Sequence, residues 1–289
     1  MQDHNRFPYS PLPLRPPLRL PGEARLAVWV IPNVEYFAFD RPATSINPGC
    51  SHLVPDILNY SWRDYGTRVG IWRIMEILDE VGIKGTVALN AMVCDYFPQF
   101  IEAALKRGWE LMGHGLTNSQ NLAGLDEEEE RRVIRTSVET LSRTGKAPRG
   151  WLGPSLAENF RTLDLLAEHG LEYVCDWVND EQPYYMKTAH GPLVAMPYTI
   201  ELNDIQIFLR GGSSGEDYCR MLTDQFDVLY EEGETTAKVL GISLHPFITG
   251  VPFRSKYLRQ ALKYIASHRN VWLATGGEIV SWFKQNAAP

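Results

Sequence analysis

Apolar residues in this chain gather in short β-branched runs, and between the runs they recur every three or four positions. Arg25–Ile31 is the first run and reads as a core strand. Ile71, Ile74, Met75, Leu78 and Val81 then mark one helical face that Gly82 stops. Next come a strand at Gly85–Leu89, a helix at Pro98–Arg107 with proline in its first turn, and a strand at Trp109–Met112. Asp126 and Glu129 have the spacing of a capping box, opening a helix whose face is Ile134, Val138 and Leu141 and whose stop is Gly145. Strand Arg149–Leu152, helix Asn159–His169 and strand Leu171–Val174 continue the alternation. Three closely spaced strands are expected at Leu193–Met196, Tyr198–Leu202 and Ile205–Leu209. Helix Glu216–Glu231, strand Lys238–Leu244, helix Lys256–Ser267, strand Val271–Ala274 and helix Gly277–Gln285 close the chain. Strand–helix alternation with no break in composition predicts one barrel-like α/β domain over 23–289.

Two stretches fall outside the pattern. Residues 1–22 hold six prolines (Pro8, Pro11, Pro13, Pro16, Pro17 and Pro21) and are expected to run as an extended arm on the body or a neighbouring subunit. Asn33 to Asp64 shows no period and reads as a long loop, which in a compact domain is usually functional.

Composition narrows the function. A net charge of −7 gives nucleic acid or an anionic membrane nothing to bind. Cys50, Cys94, Cys175 and Cys219 lie far apart, which argues against a zinc ribbon or disulfide scaffold and suits a reducing cytoplasm. No apolar run approaches the ~18 residues of a membrane span, and the N-terminus lacks the order of a signal peptide. A cytoplasmic protein is the expectation.

The candidate chemistry lies just after the strands. Asn33 and Glu35 follow the first, and His114 and Asn118 follow Trp109–Met112, with His114 between Gly113 and Gly115. Trp151, Gly153 and Pro154 end the next strand, Asp176 and Trp177 follow Val174, and His245 follows Leu244. In a parallel barrel all strand C-terminal ends meet at one face, where active sites form. Each residue has a plain alternative as well. Asp176 caps a loop, Glu35 is a loop acid, and Arg149 is a surface cation after Lys146. Glu127–Glu130 favours a helix N-terminus, and His169 a helix C-terminus.

The chain resembles the polysaccharide deacetylase superfamily, and within it the allantoinase-like and cyclic-imide-hydrolase-like branch. The resemblance is carried by Leu20-Pro-Gly-Glu-Ala-Arg-Leu, Tyr65-Gly-Thr-Arg-Val-Gly-Ile-Trp-Arg-Ile and Gly113-His114-Gly115. Arg149-Gly-Trp-Leu-Gly153, Cys175-Asp176-Trp177 with Pro183-Tyr184, Pro197-Tyr198-Thr199 and Ser243-Leu-His245-Pro-Phe extend it over nearly the whole chain. It implies a distorted (β/α) barrel with fewer than eight strands. A typical member has two adjacent aspartates after the first strand, whereas Asn33-Val34-Glu35 offers one carboxylate, matched best to the metal-ligand position. A typical member also has two metal histidines four residues apart, whereas Asn118 stands where the partner of His114 belongs. The allantoinase-like branch shares that second departure. Glu35 and His114 are therefore an incomplete metal set, holding either no cofactor or a weakly bound divalent ion such as zinc.

The activity implied is hydrolysis of a non-peptide C–N bond in a small cyclic amide, imide or ureide. Glu35 or a metal would activate water and His114 would position it. His245, steadied by Asp176, would protonate the leaving nitrogen, and Arg149 would orient Glu35 or offset the oxyanion. Asn118, Trp151, Trp177 and Tyr184 would contact the ring. A metal-dependent amino-sugar deacetylase and a catalytically silent ligand-binding member are the alternatives. The expected partners are a small molecule and further copies of the chain.

Overall fold

The computed structural model describes residues 4–41, 48–50 and 52–287, so part of the expected 33–64 loop lies outside the described residues. Among the described residues nine strands form one sheet: β1 (Leu26–Val34), β2 (Thr86–Leu89), β3 (Glu110–Gly113), β4 (Gly150–Trp151), β5 (Tyr173–Val174), β6 (Tyr184–Met186), β7 (Leu193–Ala195), β8 (Lys238–Leu244) and β9 (Val271–Leu273). The parallel path runs β7-β5-β4-β3-β2-β1-β8, an incomplete barrel of seven strands. β9 pairs with the start of β1, and β6 returns antiparallel along β7. All nine residues of β1 are buried, because helices cover one face and barrel-filling side chains the other.

Two expected strands are not strands. Tyr198–Leu202 ends in a 3-10 turn at Ile200–Leu202, and Ile205–Arg210 coils as a wide helical turn. This segment follows β7 and packs against β1 and β8. Polar side chains stitch it there. Trp29 Nε1 donates to the Pro197 carbonyl (3.2 Å), and Tyr198 Oη meets Ser243 Oγ at 2.6 Å. Asn203 Nδ2 donates to Tyr198 Oη (2.8 Å), and its Oδ1 accepts the Ile205 N–H (2.9 Å), which bends the chain out of extended form. The apolar Ile207 and Phe208 still reach the core, from a coil and not from a strand.

The end of the expected loop is also ordered. Asp56 caps α1 (Ile57–Tyr65), accepting from the Asn59 N–H at 3.1 Å. A wide turn at Gly66–Gly70 joins α1 to α2 (Ile71–Val81). That turn lies against the chain just after β8. A Cβ on Gly70 would come within 2.0 Å of the Pro246 carbonyl oxygen, so only glycine permits the contact.

The N-terminal arm lies on the body. Arg6 forms a two-pronged pair with Asp164 at 2.8 and 3.0 Å, and Arg15 Nη1 reaches Asp180 at 2.8 Å. Leu18 exchanges hydrogen bonds with Thr236 and Ala237, each 3.0 Å, and Leu20 is buried. Removing residues 1–22 should lower Tm by several degrees, since ~1 kcal/mol shifts a domain of this size by about 2–4 °C. A melt identical to the full chain's would show that these contacts stabilise nothing.

Candidate active site

Strand register brings the chemistry to one layer. Val34 pairs with Leu89, Leu89 with Gly113, and Gly113 with Trp151. One step further along each strand are Glu35, Asn90, His114 and Leu152. β8 is offset, with Pro32 opposite Leu244, so His245 enters beside Asn33 and below Glu35.

Glu35 is the centre. Its Oε1 lies 3.6 Å from His114 Nε2 and 3.5 Å from His245 Nε2, and it accepts from Asn118 Nδ2 at 2.6 Å. Its Oε2 faces Arg63 Nη1 at 3.8 Å. Burial works against the charge on Glu35. The opposing attraction of His245 wins, holding the carboxyl well below the ordinary carboxylate range.

The two histidines have different partners on Nδ1. His114 Nδ1 meets the Leu152 carbonyl at 2.5 Å, and a carbonyl only accepts. The Nδ1 proton is therefore fixed there, and a neutral ring turns its Nε2 lone pair toward the pocket. His245 stands between two carboxylates, Asp204 on Nδ1 at 2.6 Å and Glu35 on Nε2. Burial would lower its pKa, but Asp204 and then Glu35 raise it to about 9, so the ring is an imidazolium at neutral pH. Asp204 is itself fixed by the His245 N–H (2.7 Å) and the Thr249 hydroxyl.

Several assignments change. The partner of His245 is Asp204, not Asp176; Asp176 lies just past β5, accepting from the Gly153 N–H at 2.7 Å. Arg149 does not reach Glu35. It precedes β4, at the opposite end of the barrel, and pairs with Glu172 at 2.6 Å and with the Gly277 carbonyl at 2.9 Å. Arg63 stands beside Glu35 instead, its guanidinium 3.6 Å from the Phe37 ring centre and 5.5 Å from that of Phe247. Burial pulls the Arg63 pKa down to about 10, against the pull of Glu35 and Asp56. Trp151 is fully buried over Gly113, where a Cβ would sit 2.6 Å from its ring, so it is core and not pocket wall. Trp177 and Tyr184 pack on Phe7 of the arm, at 5.5 and 4.8 Å between ring centres. The flat walls beside Glu35 are Phe37 and Phe247.

Asp204 and Arg63 were not singled out in the sequence. Asp204 lay between two runs read as strands, and its only signal was the polar Asn203-Asp204 pair that separates them. Arg63 lay in the stretch read as loop.

A divalent cation, which the superfamily implies, needs about three firm ligands. Among the described residues no group of three His, Cys, Asp or Glu side chains has the required arrangement. Asn118 does not complete one. The Tyr36 N–H donates to Asn90 Oδ1 (2.8 Å), so Asn90 Nδ2 must face Asn118 Oδ1 (2.9 Å), and Asn118 then turns its NH₂ toward Glu35. A backbone donor thus sets both amides. Asn118 offers a proton where a metal site needs a lone pair, so these residues do not fit the cation.

The family model described as polysaccharide deacetylase matches residues 60–174. A Schizosaccharomyces pombe protein assigned by name to the polysaccharide deacetylases is 30% identical over 234 residues, 75% of this chain and 73% of that one. The crystal structure of PuuE allantoinase superposes with a TM-score of 0.84 at 28% identity, covering 94% of each chain. A Pseudomonas aeruginosa structure assigned by name to the polysaccharide deacetylases gives 0.83 at 29% identity, covering 94% of this chain and 95% of that one. Together with the incomplete barrel and the histidine pair at its C-terminal face, these matches show that the chain belongs to the polysaccharide deacetylase superfamily, on its allantoinase-like branch.

Proposed function

We propose that this protein hydrolyses a carbon–nitrogen bond in a small cyclic amide, imide or ureide, without a metal. One observation carries the reading: His114 Nε2 and His245 Nε2 face the same oxygen of Glu35, with a carbonyl on Nδ1 of the first ring and a carboxylate on Nδ1 of the second. Acid and base poised on either side of one anion are what amide hydrolysis needs.

Water, held by Glu35, attacks the ring carbonyl carbon, and its proton passes to His114 Nε2. A carboxylate held as low as Glu35 is a weak base, so its part is to orient water and keep His245 charged. The carbonyl π pair moves to oxygen, where the Arg63 guanidinium faces the developing charge. As the oxyanion collapses, the C–N bond breaks and His245 gives its Nε2 proton to the leaving nitrogen. Phe37 and Phe247 bound the ring.

The similarity to PuuE allantoinase favours a ureide, and the widely spaced cysteines favour a reducing cytoplasm. The amino-sugar deacetylase reading keeps its support from the family model but requires the cation that the donor set does not fit. A screen against allantoin, hydantoins, cyclic imides and N-acetyl sugars decides between them, and a parent silent on every ring substrate would overturn the proposal. Exhaustive chelation should leave ring opening within about twofold of the untreated rate. A loss that zinc restores would mean a metal does the work.

A further inference from the structure

Leu152 and Gly153 share one peptide group, and both of its polar atoms are engaged. Its carbonyl accepts from His114 Nδ1 at 2.5 Å, and its N–H donates to Asp176 Oδ1 at 2.7 Å. A line of hydrogen bonds therefore runs from the imidazole, through the backbone, to a carboxyl just past the next strand. The approach is tight, since a Cβ on Gly153 would come within 2.9 Å of Asp176 Oδ2.

Asp176 has a second carboxyl beside it. Glu158 accepts from Trp177 Nε1 at 3.2 Å and lies against Asp176. Asp176 Oδ2 is closed to solvent and meets no donor among the described protein groups. A proton held between the two acids satisfies it. Burial, and then the charge of Glu158, push Asp176 well above the ordinary carboxylate range, and burial brings Glu158 up to about 7. The loop delivering Glu158 carries Ser155 and Leu156 at φ 61° and 53°, a backbone that side chains rarely adopt.

We propose that Asp176 is a positioning residue for His114, acting through the Leu152–Gly153 peptide and held in place by Glu158. The proposal rests on His114 being the proton acceptor of the hydrolytic step. An acceptor on the peptide N–H makes the carbonyl a stronger acceptor in turn, because hydrogen bonds in a chain polarise one another. The stronger carbonyl keeps the proton on Nδ1 and the Nε2 lone pair aimed at the pocket. A role confined to bracing the β4–β5 turn would change stability and leave the ring untouched.

The test is the His114 Nδ1–H resonance by proton–nitrogen NMR of the substrate-free protein. Asp176→Ala should move it upfield or abolish it, because the freed peptide releases the imidazole. Asp176→Asn should restore it, since the amide offers Gly153 an oxygen and Glu158 a proton, as the neutral acid does. Glu158→Gln should also move it, because the proton the two acids share is lost and Asp176 meets the peptide with a different partner on Oδ2. A resonance unmoved in Glu158→Gln and in any folded Asp176→Ala protein overturns the proposal. No substrate enters this measurement, so its failure is separate from failure of the hydrolase reading. On a ring substrate that turns over, Asp176→Ala should lower kcat by about 10²-fold with KM little changed. Equal losses in Asp176→Ala and Asp176→Asn would also count against it.

Discussion

Replacing His245 by alanine is expected to slow turnover by about 10²–10⁴-fold, the range that general acid–base help supplies. Substrate binding should change little, because the proton is needed only as the C–N bond breaks. The wild-type pH profile should report the same group. His245 is raised from 6.5 to about 9, so its acid form persists through neutral pH and activity should fall as pH rises through about 9. The stability it contributes follows the same sign: full below about 6.5, lost as pH rises through about 9. Asp204→Asn removes the larger of the two attractions that hold the charge. Burial then dominates, and the alkaline limb should move to lower pH. A His245→Ala variant at full rate, or an alkaline limb unmoved by Asp204→Asn, would remove His245 from the mechanism.

Glu35→Gln should be nearly as damaging to catalysis and should also cost stability, because it leaves buried positive charge behind. The carboxylate meets His114, His245, Asn118 and Arg63. Without it the buried imidazolium keeps Asp204 alone, and losing one partner of a buried pair typically costs about 3–5 kcal/mol. Three readings should move together: a large fall in kcat, a lower Tm, and an alkaline limb shifted down. Because the Glu35 pKa is depressed, the wild-type stability it contributes is present above about 4.5 and is lost as pH falls through the lower folded value. Glu35→Gln should flatten that acid limb of stability. Retained stability at pH 7 together with unchanged kcat would show that Glu35 is a loop acid and no more.

The helix faces and most strands were legible because burial imposes a period on a chain. Ile71 to Val81, and Lys238 to Leu244, are one-sided or wholly buried, and their sequences say so. The convergence of Glu35, His114 and His245 was legible for a related reason, since parallel strands place their C-terminal ends on one face whatever the side chains. Pairing was not legible. Whether His245 meets Asp176 or Asp204 depends on which element packs against β8, and no local signal records that. Arg149 is absent from the site because a strand of only Gly150–Trp151 puts its preceding residue at the far end, and Arg63 stands by Glu35 instead. The tautomer of His114 and the direction of Asn118 belong to tertiary structure alone, fixed by the Leu152 carbonyl and the Tyr36 N–H. Composition and period thus determined the layers of this protein and the face that carries the site. Hydrogen-bond partners brought together from distant segments decided which groups donate protons there and which accept them, because a proton's position depends on what lies within about 3 Å of it.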